Sequence, residues 1–274
     1  MMNDKYIIST ARNFLYHQRL AVFKWLLHGF SLRFDPALKR DINLGLNDYQ
    51  PAEIVLENRK RLAQSVAEVE IPLVTARQIH SDRVVLIQDP EEFPDPPEGD
   101  AMITAKGGFL LAIQTADCLP ILVVDPVKEV VAAIHGGWRG LLNRIVMKTI
   151  DRMQQDFATV PADCLAAIGP GIGSCCYQVG EEVVNAFSEK FACADSFFSN
   201  FLSKDLSLRG TKALDLAAVT NFQLSESGLL PRNIFNSELC TSCRTDLFFS
   251  YRAEAGQTGR LMGVIGIRAR LVDP

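Results

Sequence analysis

Apolar positions along the chain recur with two periods, which predict helices interleaved with short strands. A period of three to four residues covers 51–66, 140–157, 180–191 and 213–225, and predicts four amphipathic helices. The third begins with Glu181 and Glu182, whose charges suit the positive end of a helix dipole. Short apolar runs predict strands at 73–75, 84–87, 109–114, 121–125, 130–134, 165–168, 247–251 and 260–267.

Several of these predicted strands are apolar throughout, as expected for strands covered on both faces. Strands alternate with helices but also follow each other in pairs, which favours an α/β or α+β sandwich of mixed β-sheets over a doubly wound parallel fold. The last two runs, joined by residues 254–259, predict a terminal hairpin. Prolines and acidic residues at 89–100 predict a surface loop, so we interpret residues 1–274 as a single domain.

Composition narrows the classes of function. Hydrophobic residues make up 48% of the 274 positions, enough for a large core, and the net charge of −4 argues against a duplex nucleic-acid partner. No apolar run reaches the ~18 residues of a membrane-spanning helix, and no targeting segment is evident. The seven cysteines are an odd number, which suits free thiols in a reducing compartment. We therefore expect a cytoplasmic protein without a membrane or nucleic-acid partner.

Three segments share a design in which an apolar strand runs into a residue type that binds metals and then into a turn. These residues are His80, Cys118 and His135. Two imidazoles and a thiolate suit zinc, and three protein ligands leave the fourth position open, as in catalytic sites. Each residue alone is more often a packing or turn residue, but the three together favour a metal site. Asp117 either orients a ligand or shuttles a proton, or it only forms the turn before Cys118.

Two glycine-rich turns precede predicted helices. In residues 135–140, backbone N–H groups and Arg139 would form an anion site. A similar turn covers 168–177, and neither turn matches a nucleotide-binding fingerprint for ATP or NAD. A Cys-x-x-Cys motif at 240–243 would form a four-thiolate zinc site with Cys175 and Cys176. Adjacent cysteines rarely provide suitable geometry, so the sequence disfavours this second site.

Motifs in the same order across nearly the whole chain resemble the YfiH family, also called the laccase-domain or polyphenol oxidase family, whose members are described as multifunctional purine nucleoside enzymes. The matching stretches lie at 28–30, 42–45, 57–59, 78–80, 99–104, 115–120, 135–140, 168–172, 175–177, 240–241, 248–252 and 258–260. Ala-Asp-Cys-Leu-Pro and His-x-Gly-Trp-Arg-Gly are the most specific. The resemblance implies a single domain with mixed β-sheets layered between helices, an α/β/β/α sandwich, and a zinc site at His80, Cys118 and His135.

The activities that the resemblance implies are phosphorolysis of adenosine, inosine and methylthioadenosine, and hydrolytic deamination of adenosine. The expected substrates are purine nucleosides and phosphate, and the expected cofactor is zinc, or copper. Zinc would acidify a water for attack on C6 of adenine, whereas phosphate would attack C1′ of the ribose. The predicted catalytic residues are His80, Cys118, His135 and Asp117, and the predicted substrate- and phosphate-binding residues are Arg33, Asn43, Arg139 and Arg252.

The sequence departs from the family pattern at two places. The glycine-rich stretch that usually follows His28 is replaced by residues 32–40, which retain Arg33. If that stretch contacts the substrate, specificity here differs from that of the family. Gly136 replaces the usual alanine, a mild change that loosens the turn.

Three alternatives stay open at this point. Cys118 as nucleophile with His135 as base would make a metal-free Cys–His hydrolase. A copper-dependent phenol oxidase fits loosely, because one cysteine and two histidines resemble a mononuclear copper site, whereas a laccase needs more histidines than the four present. A module that binds a nucleoside without catalysis is the third. We expect the chain to act as a monomer.

Overall fold

Strands outnumber helices in the computed structural model, which describes residues 5–9, 13–93, 95–201 and 211–269. The predicted domain ends, residues 1 and 274, lie outside the described residues. Within these ranges five α-helices form, α1 (Ala52–Ala67), α2 (Trp138–Leu142), α3 (Ile145–Phe157), α4 (Glu181–Lys190) and α5 (Leu216–Glu226). The strands of the same ranges are β1 (Tyr6–Ser9), β2 (Phe14–His17), β3 (Leu26–Ser31), β4 (Phe34–Asp35), β5 (Arg40–Asp41), β6 (Leu73–Thr75), β7 (Val84–Leu86), β8 (Ala101–Thr104), β9 (Phe109–Thr115), β10 (Leu119–Asp125), β11 (Val130–Gly136), β12 (Leu165–Ile168), β13 (Gln178–Val179), β14 (Phe198–Asn200), β15 (Lys212–Leu214), β16 (Ile234–Asn236) and β17 (Leu261–Ile267).

Two six-stranded mixed sheets carry the fold. The first has the order β1-β2-β3-β17-β9-β6, and the second has the order β16-β12-β10-β11-β8-β7. Most neighbours are antiparallel, but β6 runs parallel to β9, β7 to β8, and β16 to β12. A three-stranded sheet, β13-β15-β14, and the pair β4-β5 complete the strands. The prediction of mixed sheets is confirmed.

The two large sheets face each other across one apolar core, and helices cover their outer faces. In β9, Leu111 and Ile113 pack against the second sheet, whereas Leu110 and Ala112 pack against the side of α1. The outer face of the second sheet packs against α3, α4 and α5 in the largest buried cluster. The layers are therefore helix, sheet, sheet and helices, the sandwich that the sequence predicted. No helix in the described ranges has the length and apolar character needed to cross a membrane.

The predicted helix 140–157 is wrong as a single element. A short helix, α2, ends at Leu142, and α3 begins at Ile145 after Arg144 adopts a left-handed backbone with φ 63°. The predicted helix 213–225 begins later, because residues 212–214 form β15 and Asp215 then caps α5. The Asp215 carboxylate accepts a hydrogen bond from the Ala218 N–H at 2.9 Å, which satisfies one of the free amides of the first turn.

The predicted terminal hairpin is also wrong. Residues 247–251 form turns rather than a strand, although Phe248 and Phe249 are fully buried in a small cluster with Leu32 and Leu261. Both edges of β17 are already occupied, by β3 and by β9, so no edge is left for a hairpin partner. An apolar run can therefore be buried without entering a sheet.

Candidate functional site

The three predicted ligands lie where the chain passes between the two sheets. Residues 116–118 connect β9 of the first sheet to β10 of the second, and Cys118 is the last of them. His135 lies near the end of β11, opposite Pro120 of the antiparallel neighbour β10. His80 belongs to the segment 76–83 between β6 and β7, which again join different sheets. One end of the sandwich therefore brings the three together.

The donor atoms of His80, Cys118 and His135 all lie within 4.8 Å of one another. The two imidazoles meet edge to face, with 4.8 Å between ring centroids and 75° between ring planes. Zinc binds nitrogen at about 2.0–2.1 Å and sulfur at about 2.3 Å, so small side-chain rotations suffice to place all three on one ion. The set of two imidazoles and one thiolate fits zinc or copper chemistry.

Gly137 leaves the space beside the three ligands free. A Cβ at this position would lie 3.1 Å from Cδ2 of His80 and 3.2 Å from Sγ of Cys118. The Gly137 backbone has φ −80°, which any residue adopts, so the position needs glycine because of the ligands rather than because of the turn. The small residue supports the metal interpretation, since it keeps the cluster uncovered.

Asp100 organises the ligands although the sequence placed it at the end of a surface loop. Its side chain is fully buried. Oδ1 accepts hydrogen bonds from the His80 N–H at 3.0 Å and from Nδ1 of His135 at 2.8 Å. Oδ2 accepts from the Ile79 N–H, the Ser81 N–H and the Ser81 hydroxyl, at 3.2, 2.6 and 2.7 Å. A carboxylate that accepts from one ring nitrogen of a histidine fixes its tautomer and ring orientation, and Asp100 makes this contact with His135.

The backbone of His80 is held in an unusual conformation by these contacts. His80 has φ 57°, in the left-handed region that a histidine adopts only when its surroundings over-determine it. Three successive N–H groups, those of Ile79, His80 and Ser81, converge on the same carboxylate. The strained turn therefore presents the His80 imidazole to the cluster.

The electrostatics of the cluster favour a thiolate next to a protonated imidazole when no ion is bound. Burial raises the pKa of Cys118, but the charge of His135 and hydrogen bonds with both imidazoles lower it to about 6. Burial lowers the pKa of His135, whereas the Cys118 charge and the Asp100 hydrogen bond raise it to about 9. Burial raises the pKa of Asp100, but hydrogen bonds from His135 and Ser81 lower it to about 2. The thiolate form is also the form that binds metals.

Asp117 lies beside the cluster but turns its carboxylate away from the two histidines. Oδ1 accepts from the Thr241 hydroxyl at 2.6 Å, and Oδ2 accepts from the Arg252 N–H at 2.7 Å. Its own carbonyl accepts from the Ile172 N–H at 2.7 Å. Asp117 thus anchors three loop segments around Cys118, and its φ of 91° shows that the turn itself is tightly constrained.

A cavity of about 750 Å³ opens beside the cluster, a volume within the roughly 300–1,000 Å³ typical of small-molecule sites. Besides the three ligands and Asp117, its lining includes three aromatic rings and four arginines, Trp138, Tyr177, Tyr251, Arg77, Arg139, Arg252 and Arg260. Arg139 lies 4.4 Å from the Trp138 ring centroid and pairs with no carboxylate in the described part of the chain. The predicted anion-binding residues Arg139 and Arg252 therefore share one cavity with the ligands.

Arg33 and Asn43 are placed outside the lining of this cavity. The Arg33 guanidinium is bound by Asp41 at 2.9 Å and by Glu254 at 2.8 Å. The buried Asn43 accepts from the Gly45 N–H at 2.9 Å and from the Arg260 N–H at 2.8 Å. Asn43 thus positions the backbone of Arg260, which lines the cavity. Arg33 forms ion pairs with two carboxylates outside the cavity lining.

Sequence reasoning missed Asp100, Trp138 and Tyr177 as site residues. The sequence did indicate Asp100, because it lies in the stretch 99–104 that matches the family. The proline-rich residues before it nevertheless led us to predict a surface loop there. Trp138 and Tyr177 each lie in a recognised glycine-rich turn. Nothing in the sequence shows that those two turns face one cavity.

Known proteins resemble this chain in sequence and in structure. A family described as multi-copper polyphenol oxidoreductase laccase matches residues 28–268. A purine nucleoside phosphorylase of Deinococcus radiodurans is 38% identical over 216 residues, which cover 79% of this chain and 78% of that protein. The adenosine deaminase RL5, from an unknown prokaryotic organism, is 35% identical over 217 residues, which cover 75% and 79%.

Solved structures agree with these sequence matches. The crystal structure of YlmD from Geobacillus stearothermophilus superimposes with a TM-score of 0.84 at 30% identity, and the match covers 97% of this chain and 99% of that one. A Bacillus licheniformis protein called YfiH gives the same TM-score at 29% identity, with 96% and 99% coverage. By sequence and by fold, the chain belongs to the laccase-like YfiH family.

Proposed function

We propose that the chain is a metal-dependent purine nucleoside enzyme, which cleaves adenosine, inosine and methylthioadenosine with phosphate and hydrolytically deaminates adenosine. One observation carries the proposal: the His80–Cys118–His135 cluster opens into a cavity lined by aromatic rings and arginines. The relatives named purine nucleoside phosphorylase and adenosine deaminase support the same class of substrate.

The cavity has different groups to bind the two substrates, the purine nucleoside and the phosphate. Trp138, Tyr177 and Tyr251 present apolar rings on which a purine can stack. Arg139 is exposed and without an acidic partner among the described residues, so its guanidinium is available for a phosphate. Arg252 is less free, because its guanidinium donates to the carbonyls of Cys176 at 3.2 Å and Gln178 at 3.0 Å. We assign phosphate binding first to Arg139.

His80, Cys118 and His135 would hold the ion, which supplies Lewis acidity and lowers the pKa of a coordinated water toward neutrality. The chain's own residues set the geometry. Asp100 accepts a hydrogen bond from the Nδ1–H of His135, so Nε2 of His135 is the nitrogen that faces the cluster. Asp117 fixes the Cys118 turn through Thr241 and the Arg252 N–H.

The two reactions use the same cavity but different nucleophiles. In phosphorolysis a phosphate oxygen bonds to C1′ and the bond from C1′ to the purine nitrogen breaks. The purine takes up a proton on a ring nitrogen and leaves as the free base, and the sugar, ribose or methylthioribose, is released as its 1-phosphate. In deamination water adds at C6 and the amino group leaves as ammonia, so adenosine becomes inosine. Both need the purine to be held beside the cluster, whereas only the first needs an anion site.

The test is metal analysis of the purified protein, together with a panel of adenosine, inosine and methylthioadenosine assayed with and without phosphate. With phosphate present we expect the free base and the 1-phosphate of the sugar, which is ribose for adenosine and inosine and methylthioribose for methylthioadenosine. Without phosphate we expect inosine and ammonia from adenosine. His80→Ala should lose the ion of the His80–Cys118–His135 cluster and both activities. If that variant retains its metal and its phosphorolysis, the proposed site is not the active site.

The anion site can be tested separately with Arg139→Ala. Loss of a charge-assisted hydrogen bond costs about 1.5–3 kcal/mol, so the KM for phosphate should rise by about 10- to 150-fold. Deamination, which uses no phosphate, should change little. Arg77→Ala is a matched control, because Arg77 lines the same cavity but is already paired with Glu98. Equal effects of the two substitutions would refute the role of Arg139.

A metal-free cysteine hydrolase is a second candidate, favoured by one feature. Cys118, His135 and Asp100 form a nucleophile, base and orienting carboxylate in series, with Nδ1 of His135 2.8 Å from Asp100. A chelator distinguishes the two candidates. It should abolish activity if the cluster binds a catalytic metal ion, and it should leave activity unchanged if Cys118 acts as a nucleophile with His135 as its base.

A copper phenol oxidase has less support from the geometry. The four histidines form two separate pairs, since His17 and His28 contact each other within the first sheet while His80 and His135 form the cluster. Among the described residues only the latter pair belongs to a possible metal site. A multicopper centre needs more imidazoles at one place than this arrangement supplies.

A further inference from the structure

Two neighbouring parallel strands bring four cysteines to the same edge of the second sheet. β12 and β16 run parallel, so the loops that follow them leave the sheet side by side. The loop after β12 contains Cys175 and Cys176, and the loop after β16 contains Cys240 and Cys243. Pairing continues beyond the strands, because Gly171 forms a bridge with Cys240.

The four sulfur atoms converge in spite of the unfavourable spacing of the sequence. All four lie within 4.8 Å of one another. Sγ of Cys243 is 3.6 Å from Sγ of Cys175 and 3.4 Å from Sγ of Cys176. The adjacent cysteines can both reach it because their loop folds into a tight turn, in which the N–H groups of Cys176 and Tyr177 donate to the Gly173 carbonyl. Adjacent cysteines rarely provide suitable geometry, and here this turn brings both sulfur atoms close to Cys243.

These separations match a tetrahedral thiolate site. With a bond from zinc to sulfur of about 2.3 Å, tetrahedral ligands lie about 3.8 Å apart, close to the 3.4 and 3.6 Å observed. A disulfide needs about 2.05 Å between sulfurs, and all seven cysteines are free thiols in the structure. The cluster is therefore arranged around a common centre rather than as bonded pairs.

Backbone N–H groups donate hydrogen bonds to the sulfur of Cys240. Sγ of Cys240 accepts a hydrogen bond from the Gly173 N–H at 3.2 Å, and the Cys243 N–H also donates to it. N–H donors of this kind stabilise negative charge on a sulfur atom, so the backbone favours a thiolate at Cys240.

We propose that Cys175, Cys176, Cys240 and Cys243 bind a zinc ion at a second site, separate from the cluster in the large cavity. Four thiolates in tetrahedral positions select zinc or iron among biological metals. Zinc has no geometric preference from its d electrons, which suits the unequal sulfur separations here. The four protein ligands leave no open position, so this ion is structural.

The second site braces the wall of the large cavity. Thr241 lies between Cys240 and Cys243 in the sequence, and its hydroxyl donates a hydrogen bond to the Asp117 carboxylate. Arg252 donates to the Cys176 carbonyl and places its guanidinium 5.3 Å from the Tyr177 ring centroid. Ion binding at the four cysteines would therefore lock together the two loops that hold Asp117 and Tyr177 in place.

The experiment compares metal content in the full-length protein and in the double variant Cys175→Ser with Cys243→Ser. Both cysteines are exposed, so the substitutions disturb little packing. The wild type should contain one more zinc ion per chain than the double variant. Wild-type protein loaded with cobalt should show the intense thiolate-to-metal charge-transfer bands of a four-thiolate site, whereas the double variant should keep only the weaker bands that the single thiolate of Cys118 contributes. Hydrogen exchange at 171–177 and 240–244 should be faster in the double variant, while α5 stays unchanged.

Two controls separate this site from the proposed active site. Cys193→Ser removes a half-buried cysteine outside the cluster and should leave the metal content unchanged. His80→Ala should lose only the ion of the large cavity and keep the four-thiolate cobalt bands. Equal metal content in wild type and double variant would overturn the proposal. So would iron in place of zinc, or a wild-type mass lower by two hydrogens, which indicates a disulfide.

Discussion

Asp100→Asn tests how far one carboxylate controls the proposed metal site at His80, Cys118 and His135. The substitution keeps the size of the side chain and removes one acceptor oxygen. In the wild type, Oδ1 receives the His80 N–H and Nδ1 of His135, and Oδ2 receives Ile79 and Ser81. An amide group has only one acceptor oxygen. Its NH₂ must therefore face either the donors that Oδ1 receives or the donors that Oδ2 receives in the wild type.

The favoured orientation leaves the amide oxygen at the position of Oδ1. The Ser81 hydroxyl can then rotate to accept from the new NH₂, but the Ile79 and Ser81 N–H groups lose their partner. Two lost hydrogen bonds to a charged group cost about 3–6 kcal/mol before relaxation. Loss of the carboxylate behind a ligating histidine typically weakens metal affinity by about 10- to 100-fold, equivalent to about 1.4–2.8 kcal/mol.

The assay is a competition titration in which a chromogenic chelator competes with the protein for zinc, well below the melting temperature. Asp125→Asn is the matched control, because Asp125 is also a fully buried carboxylate but accepts, within the described part of the chain, only from the N–H groups of Val127 and Lys128 at the turn between β10 and β11. We expect the tenfold or larger loss only for Asp100→Asn. The reasoning is refuted if Asp100→Asn, still folded, binds zinc within twofold of the wild type, or if both variants weaken binding equally.

Three further predictions follow from single contacts. Gly137→Ala should reduce metal content because its Cβ crowds His80 and Cys118. Gly136→Ala should retain the metal, because its Cβ meets Ile121 and Leu119 rather than the cluster, and metal analysis of both variants checks this. Burial lowers the pKa of His28 from 6.5 to about 4, so the unfolded state binds more protons and stability should fall by about 3 kcal/mol as the pH drops from 6.5 to 4. Urea unfolding should show a flatter pH dependence for His28→Gln, and an unchanged one would contradict this. Asp215→Ala removes the cap to Ala218 and should cost about 1 kcal/mol in urea unfolding, with Asp215→Asn close to wild type.

Periodicity predicted the layered fold where strands and helices were apolar and regular. β9 to β12 were found close to their predicted positions because they are apolar runs covered on both faces. α1 was found because its apolar residues recur on one face, which is buried. β2 and β3 were not predicted, and each contains a buried histidine, His17 or His28, that reads as polar in a hydropathy pattern. Burial of a neutral imidazole depends on its tertiary partners, which a local pattern does not contain.

The candidate ligands were predictable, but the groups that position them were not. His80, Cys118 and His135 stand out because two of only four histidines and a cysteine each follow or end an apolar strand run. Asp100 and Thr241 act through hydrogen bonds across 20 and 124 positions of the chain, to His80 and to Asp117. Such contacts depend on which loops share an edge of a sheet, and the four cysteines were misjudged for the same reason.

The positions of the ligands explain why Asp100 matters more than the other positioning residues. Cys118 and His135 are adjacent to strands of the core, so their backbones cannot shift without moving a buried sheet. His80 is exposed and lies in the eight-residue segment 76–83, which leaves its backbone without such support. Its N–H and Nδ1 of His135 meet at the same Oδ1 of Asp100. A single oxygen therefore ties the least constrained ligand to a rigid one, and the spacing of the two imidazoles depends on that atom.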